Sequence, residues 1–159
     1  MSTVPMTPRG LKLLHAKLKQ LREIERPQNV RDIEEALAHG DLRENAEYHA
    51  AKDRQAQIDG TMKWAESQIA SAEIIDPTKL SGDRVMFGAT VTLVDGEDDD
   101  AEPIRYQLVG EAESDLSEGR VSFASPIARA LMGKEEGDEV TIISPNGRRK
   151  VIIDEVVYI

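Results

Sequence analysis

Asp41 and Glu44 are the residues of this chain whose types and spacing could do chemistry. They lie three apart in Gly40-Asp41-Leu42-Arg43-Glu44-Asn45, a short acidic stretch between two segments with helical periodicity. On the first turn of a helix, residues three apart are neighbours. Two neighbouring carboxylates can share a hard divalent cation and leave positions for water and phosphate oxygens, as Mg²⁺ prefers. The same spacing also fits a capping box, in which each side chain bonds the other's backbone amide at a helix start. Spacing leaves both readings open.

Few other groups compete for a chemical role. Arg22, Arg26, Arg31, Arg43, Lys52, Arg54 and Lys63 scatter along the same segments. They could form a stripe facing a nucleic-acid strand or a channel wall, or flank a coiled coil as solvated ion pairs. Arg43, Lys52 and Arg54 are the candidates for nucleic-acid proximity, because they sit nearest the turn. His15, His39 and His49 lack metal-ligand spacing. The run from Glu97 to Asp100 lacks the glycine and terminal glutamate of an EF-hand loop and reads as a solvated hairpin turn. No phosphate-binding glycine loop and no nucleophile in a recognisable motif occur, which argues against a free-standing enzyme.

Long elements must present such a turn. Thr7-Pro8 is a helix start, with threonine as cap and proline in the first position. Leu11, Leu14, Leu18 and Leu21 form one apolar seam, Pro27 predicts a kink or short break, and Val30, Ile33 and Leu37 resume the seam. Gly40 suits a left-handed C-terminal cap. A return helix is expected from Leu42, with Ala51, Gln55, Ile58, Met62, Ala65, Ile69 and Ala72 at heptad spacing. Two segments of roughly 30 residues make an antiparallel hairpin about 45 Å long.

The predicted fold is α+β. Residues 1–76 form the antiparallel coiled-coil hairpin, 77–83 a linker after Asp76-Pro77, and 84–159 a small antiparallel sheet with one short helix. Its expected strands are Val85 to Val94, Ile104 to Val109 and Arg120 to Ala124. The helix is Ile127 to Met132, behind the Ser125-Pro126 start. A closing hairpin joins Val140 to Ile143 with Lys150 to Tyr158 through Pro145-Asn146-Gly147.

The totals narrow the class. The net charge is −10, with −2 on residues 1–76 and −8 on 77–159. Autonomous binding of duplex nucleic acid is disfavoured, since neutralising phosphates needs a basic surface. A basic protein surface suits the acidic C-terminal half better. No apolar run approaches the ~20 residues that cross a bilayer, and no signal-peptide pattern opens the chain. The absence of cysteine suits a cytoplasmic location.

Four stretches together carry a family resemblance. They are His39-Gly40-Asp41-Leu42-Arg43-Glu44-Asn45-Ala46-Glu47-Tyr48-His49-Ala50, Met6-Thr7-Pro8-Arg9-Gly10, Val85-Met86-Phe87-Gly88-Ala89-Thr90-Val91, and Ser125 to Glu135. The chain resembles the bacterial Gre transcript-cleavage factors, of the GreA type, over essentially its whole length. The resemblance implies a coiled-coil hairpin followed by an FKBP-like domain. It implies binding to RNA polymerase at the mouth of its secondary channel through the C-terminal domain, by a monomer. The tip would enter the channel, where Asp41 and Glu44 help hold the polymerase's second catalytic Mg²⁺ and position the attacking water. The polymerase then hydrolyses the 3′ end of backtracked nascent RNA, so the factor is not an enzyme and carries no cofactor of its own. Arg43, Lys52 and Arg54, by their position on the return segment, are the candidates for proximity to the RNA 3′ end, joined by Asn45 and Tyr48, which could orient the tip or contact RNA. Ser125, Pro126, Ile127, Ala128 and Arg129 are the docking candidates, with a structural cap and helix packing as the alternative.

Three other readings stay in play. A channel-occupying regulator would bind polymerase without aiding cleavage, and the Asp41/Glu44 pair speaks against it. A prolyl isomerase would need Phe87, Tyr106, Phe123 and Tyr158 to line a pocket, and fold alone is weak evidence for it. A coiled-coil adaptor would have partners other than polymerase.

Overall fold

The computed structural model describes residues 2–40 and 45–159. They fall into two compact units, Lys12–Ser71 and Met1–Leu11 with Ala72–Ile159. Both ends of the hairpin sequence contribute strand to the sheet-bearing unit. There, β1 (Val4–Met6) pairs in parallel with β2 (Ala72–Ile74). The return helix therefore stops at Ala70, short of Asp76-Pro77. A pairing between residues almost seventy positions apart leaves no local signature.

The chain enters α1 (Pro8–Gln20) at the expected boundary, with the Thr7 hydroxyl accepting from the Gly10 amide at 3.1 Å. A π-helical turn, Leu21–Glu25, joins α1 to α2 (Arg26–Ala38). The irregularity expected at Pro27 takes this form. The Arg26 N–H donates to the Leu21 carbonyl five residues back, and the widened turn accommodates a residue that has no amide hydrogen and a bulky ring. It also shifts the seam. Leu14, Leu18 and Leu21 are buried as expected. Beyond the turn, Asn29 and Ala36 are buried at 3% and 2% exposure, while Val30 and Leu37 are 44% and 45% exposed. An extra residue in one turn rotates everything after it, so a seam extrapolated at helical period lands on the wrong face.

The return helix, α3 (Ala46–Ala70), buries Ala51, Ile58, Met62 and Ala65 on the expected seam. Its 25 residues span about 37 Å at ~1.5 Å each. The side-chain pairs run in opposite senses along the two helices. Asn45 reaches Ala36, Asn29 reaches Ala51, and Arg54 pairs with Glu25. This is the antiparallel hairpin that the equal segments predict.

In the sheet-bearing unit, β3 (Thr90–Asp95), β4 (Ile104–Val109), β5 (Arg120–Ser122), β6 (Glu139–Ser144) and β7 (Gly147–Val157) form one sheet in the order β5-β4-β3-β7-β6. The expectation of a purely antiparallel sheet is corrected here. β4 and β5 run parallel, Leu108 opposite Val121, because short 3-10 turns at Glu111–Glu113 and Leu116–Glu118 carry the chain across instead of a hairpin. The first strand also starts late. The Ala89 amide donates to Met86 at 3.0 Å in a turn, so β3 begins at Thr90 and not Val85.

One sheet face carries the core. Val91 and Leu93 of β3 alternate into it, with Leu108, Val121, Val140, Val151, Ile153 and Val156 from the other strands. A bulge opposite Thr92/Leu93 sets Val91 against Val156 and Leu93 against Ile153. Two residues three apart thereby share a face that period-2 alternation would deny them. The short helix α4 (Pro126–Leu131) adds Ala128 and Leu131. Phe87 and Phe123 meet edge to face at 5.8 Å, and Tyr106 packs on the core. The Tyr158 hydroxyl donates to the Arg84 carbonyl at 2.6 Å and accepts from the Met86 amide at 3.1 Å, while partial burial raises its pKa. All four aromatics weighed for a prolyl pocket are committed to packing.

Candidate functional site

Asp41 and Glu44, with Leu42 and Arg43, lie outside the described residues. The frame that holds them is described on both sides. α2 ends with His39 as its C-cap, and Gly40 follows at φ +101°, the backbone region expected of it. On the far side Asn45 opens α3. Its Oδ1 accepts from the Tyr48 amide at 3.0 Å. Its Nδ2 donates to the Ala36 carbonyl at 2.6 Å, in the last turn of α2. One amide side chain thus caps the return helix and ties it to the outgoing one.

This geometry revises the alternative reading of the acidic pair. The N-cap of α3 is Asn45 and its first residue is Ala46. The return helix therefore does not start at Leu42, and Asp41 and Glu44 are not the cap and third residue of α3. Replacing Asn45 with alanine removes the cap and leaves the Ala36 carbonyl without this donor. The expected cost is about 1 kcal/mol, read as a lower thermal midpoint of the 222 nm signal. An unchanged midpoint would mean that the cap contributes nothing.

The flanks carry their own pairings. His39 Nδ1 lies 3.0 Å from Glu47 Oε2 across the turn, and Tyr48 meets the His49 ring edge to face at 5.7 Å. Lys52 Nζ donates to Gln55 Oε1 at 2.7 Å. Arg54 is held by Glu25 of the π-helical turn. Of the residues considered for nucleic-acid proximity, Arg54 is thus engaged across the hairpin, Asn45 is engaged at the tip, and Lys52 lies exposed on the surface. Asn29 was not marked by the sequence pattern. It is buried in the seam and donates to the Ala51 carbonyl at 2.9 Å. A single buried amide in an apolar seam fixes register at some cost in stability.

The donor set indicates what sort of metal site is possible. Among the described residues, no group of three or more His, Cys, Asp or Glu could hold a metal ion. At the turn, Glu47 is paired with His39 and both ends of the Asn45 amide are used. By residue type, Asp41 and Glu44, outside the described residues, supply two carboxylates. They suffice for a Mg²⁺ that keeps waters and phosphate oxygens as its other ligands, and fall short of an all-protein cage.

The docking candidates split by role. The Ser125 hydroxyl donates to the Ser122 carbonyl at 2.7 Å and accepts from the Ala128 amide at 3.3 Å, so it caps α4. Ala128 is buried and Ile127 packs against the core. Pro126 and Arg129 are exposed. The cap residue, the core residues and the exposed residues therefore share one short stretch.

Comparison with known proteins covers both units. The family model for the N-terminal domain of GreA/GreB transcription elongation factors matches residues 4–74, and the model for the GreA/GreB C-terminal domain matches residues 80–158. The transcription elongation factor GreA of Anaeromyxobacter sp. (strain K) is 52% identical over 159 residues, covering 100% of this chain and 95% of that protein. The GreA of Phenylobacterium zucineum (strain HLK1) is 51% identical and covers 100% of both. Among solved structures, GreA factor homolog 1 of Thermus thermophilus is 26% identical with a TM-score of 0.44, covering 97% of this chain and 98% of that one.

Proposed function

The chain belongs to the GreA/GreB family of transcription elongation factors, so RNA polymerase is its partner, and we propose that it stimulates the polymerase's own cleavage of backtracked nascent RNA. In this reading the sheet-bearing unit binds at the rim of the polymerase secondary channel. The hairpin enters and brings Asp41 and Glu44 to the polymerase active centre. The observation that carries the reading is the frame on either side of the acidic pair in the sequence: Gly40 at φ +101° before it and the doubly bonded Asn45 after it. Its carboxylates are not needed to cap the helix behind them.

The chain's own residues do three things. Asn29 and Asn45 hold α2 and α3 in one register through backbone carbonyls. Asp41 and Glu44 offer carboxylate oxygens where a cation is weakly held. They also accept hydrogen bonds from a water and so orient it toward the phosphodiester. A Mg²⁺ bound there would stabilise charge on the attacking and leaving oxygens. Delivering such groups on a prearranged scaffold removes much of the entropic cost of assembling the site. The direct test is cleavage of a stalled, backtracked complex with and without the protein, at fixed Mg²⁺. No acceleration would exclude this function.

Docking is testable separately. Arg129→Glu is expected to weaken polymerase binding by about tenfold through charge reversal at an exposed position, with the thermal midpoint unchanged. Ser125→Ala should instead lower stability by about 1 kcal/mol through loss of the α4 cap. Titration against polymerase and thermal unfolding separate the two; equal affinity for Arg129→Glu would remove this residue from the docking surface.

A further inference from the structure

Glu113 is a carboxylate at 3% exposure, and among the described residues no Lys, Arg or His pairs with it. Hydrogen-bond donors meet its charge instead. Oε2 accepts from the Thr7 amide at 3.2 Å and the Gly110 amide at 3.3 Å, and Oε1 accepts from the Thr7 hydroxyl. That hydroxyl in turn accepts from the Gly10 amide. The carboxylate therefore sits at the amino end of α1, where unpaired amides and the helix dipole favour negative charge. The approach is close. A Cβ on Gly10 would lie 2.6 Å from the Glu113 carboxyl carbon, and one on Gly110 would lie 2.8 Å from the Pro5 carbonyl oxygen. The Ile75 amide also donates to the Met6 carbonyl at 2.8 Å beside it.

Thr7 alone would cap α1. A buried carboxylate brought from 106 residues away in sequence does more than capping requires, because burying an unpaired charge is costly unless its donors are all in place. We infer that Glu113 is a positioning residue for transcript cleavage, clamping the first turn of α1 onto the turn that follows β4. α1 is the helix through which the chain leads toward the tip. The docking helix α4 lies in the same compact unit as the clamp. The inference rests on the cleavage reading above. A loosened clamp would leave the docking residues in place and free the first turn of α1, the helix that leads toward the carboxylates.

The test is a titration of the full-length protein against a backtracked polymerase complex, separating half-saturating concentration from maximal cleavage rate. Glu113→Leu removes both acceptor oxygens from the Thr7 and Gly110 amides. Gly10→Ala forces the carboxylate away. Thr7→Val removes one hydroxyl, and Thr7→Ser retains it. The first three should lower the maximal rate by about tenfold or more, since small displacements of positioned groups cost up to about a hundredfold. Half-saturation should stay within about twofold, and Thr7→Ser should match wild type. Amide exchange at residues 7–11, measured without polymerase, should accelerate in the first three variants while that of α3 stays constant. Wild-type maximal rates in folded Glu113→Leu and Gly10→Ala would overturn the inference, as would a change in half-saturation alone. Should those two unfold, the Thr7 pair decides alone. A wild-type protein that gives no stimulation would instead overturn the functional reading and the positioning role together, and amide exchange would still report whether the clamp exists.

Discussion

Asp41→Ala and Glu44→Ala are each expected to reduce stimulated cleavage by about a hundredfold or more, the usual loss when a group that stabilises charge in the transition state is removed. Polymerase affinity should remain, because the docking candidates lie in the other unit. The helical signal should remain as well. Had the two carboxylates formed the capping box, alanine would have cost about 1 kcal/mol of helix stability, and lost activity would have been ambiguous. With Asn45 as the cap of α3, the two effects separate. Asn45→Ala should lower the thermal midpoint with both carboxylates still in the chain, and Asp41→Ala should leave the midpoint alone. A cleavage rate equal to wild type in both carboxylate variants would end the metal-positioning assignment.

The largest expected effect on stability belongs to Leu131→Ala. Leu131 is fully buried on the last turn of α4 and joins the core formed by Val85, Val91 and Leu108. Truncating a buried leucine costs about 3 kcal/mol in lost transfer energy and residual cavity. That is a large share of the roughly 5–15 kcal/mol that holds an ordinary domain together. Denaturant unfolding should show the sheet-bearing unit lose its midpoint first. Affinity for polymerase should fall with it, since α4 also presents Pro126 and Arg129. A loss under 1 kcal/mol would mean that the site collapses around the missing atoms.

Much of the arrangement was legible from single residues. Thr7-Pro8, Gly40 and Ser125-Pro126 act where their chemistry predicts, because caps and turn glycines depend on a few neighbouring atoms. The return seam from Ala51 to Ala65 was legible for a related reason, since an uninterrupted helix keeps its period. The outgoing seam was not, because the π-helical turn before Pro27 adds a residue that periodicity cannot anticipate. Asn45 stood out only as part of a motif. Its role as cap and staple follows from Ala36 and Tyr48 coming within reach on either side of the turn.

By itself, the sequence determined the two segment types, the hairpin and the family. Each is written in local periodicity, turn chemistry or contiguous motif. Only the tertiary structure decided what depends on residues distant along the chain. The parallel pairing of β1 with β2, the crossover that sets β5 beside β4, and the bulge that turns Val156 and Ile153 to one face all belong to this second kind. So does the Glu113 clamp on Thr7 and Gly10. A buried carboxylate is tolerated only where several amides converge on it, and convergence is a property of the folded chain, which no window of sequence contains.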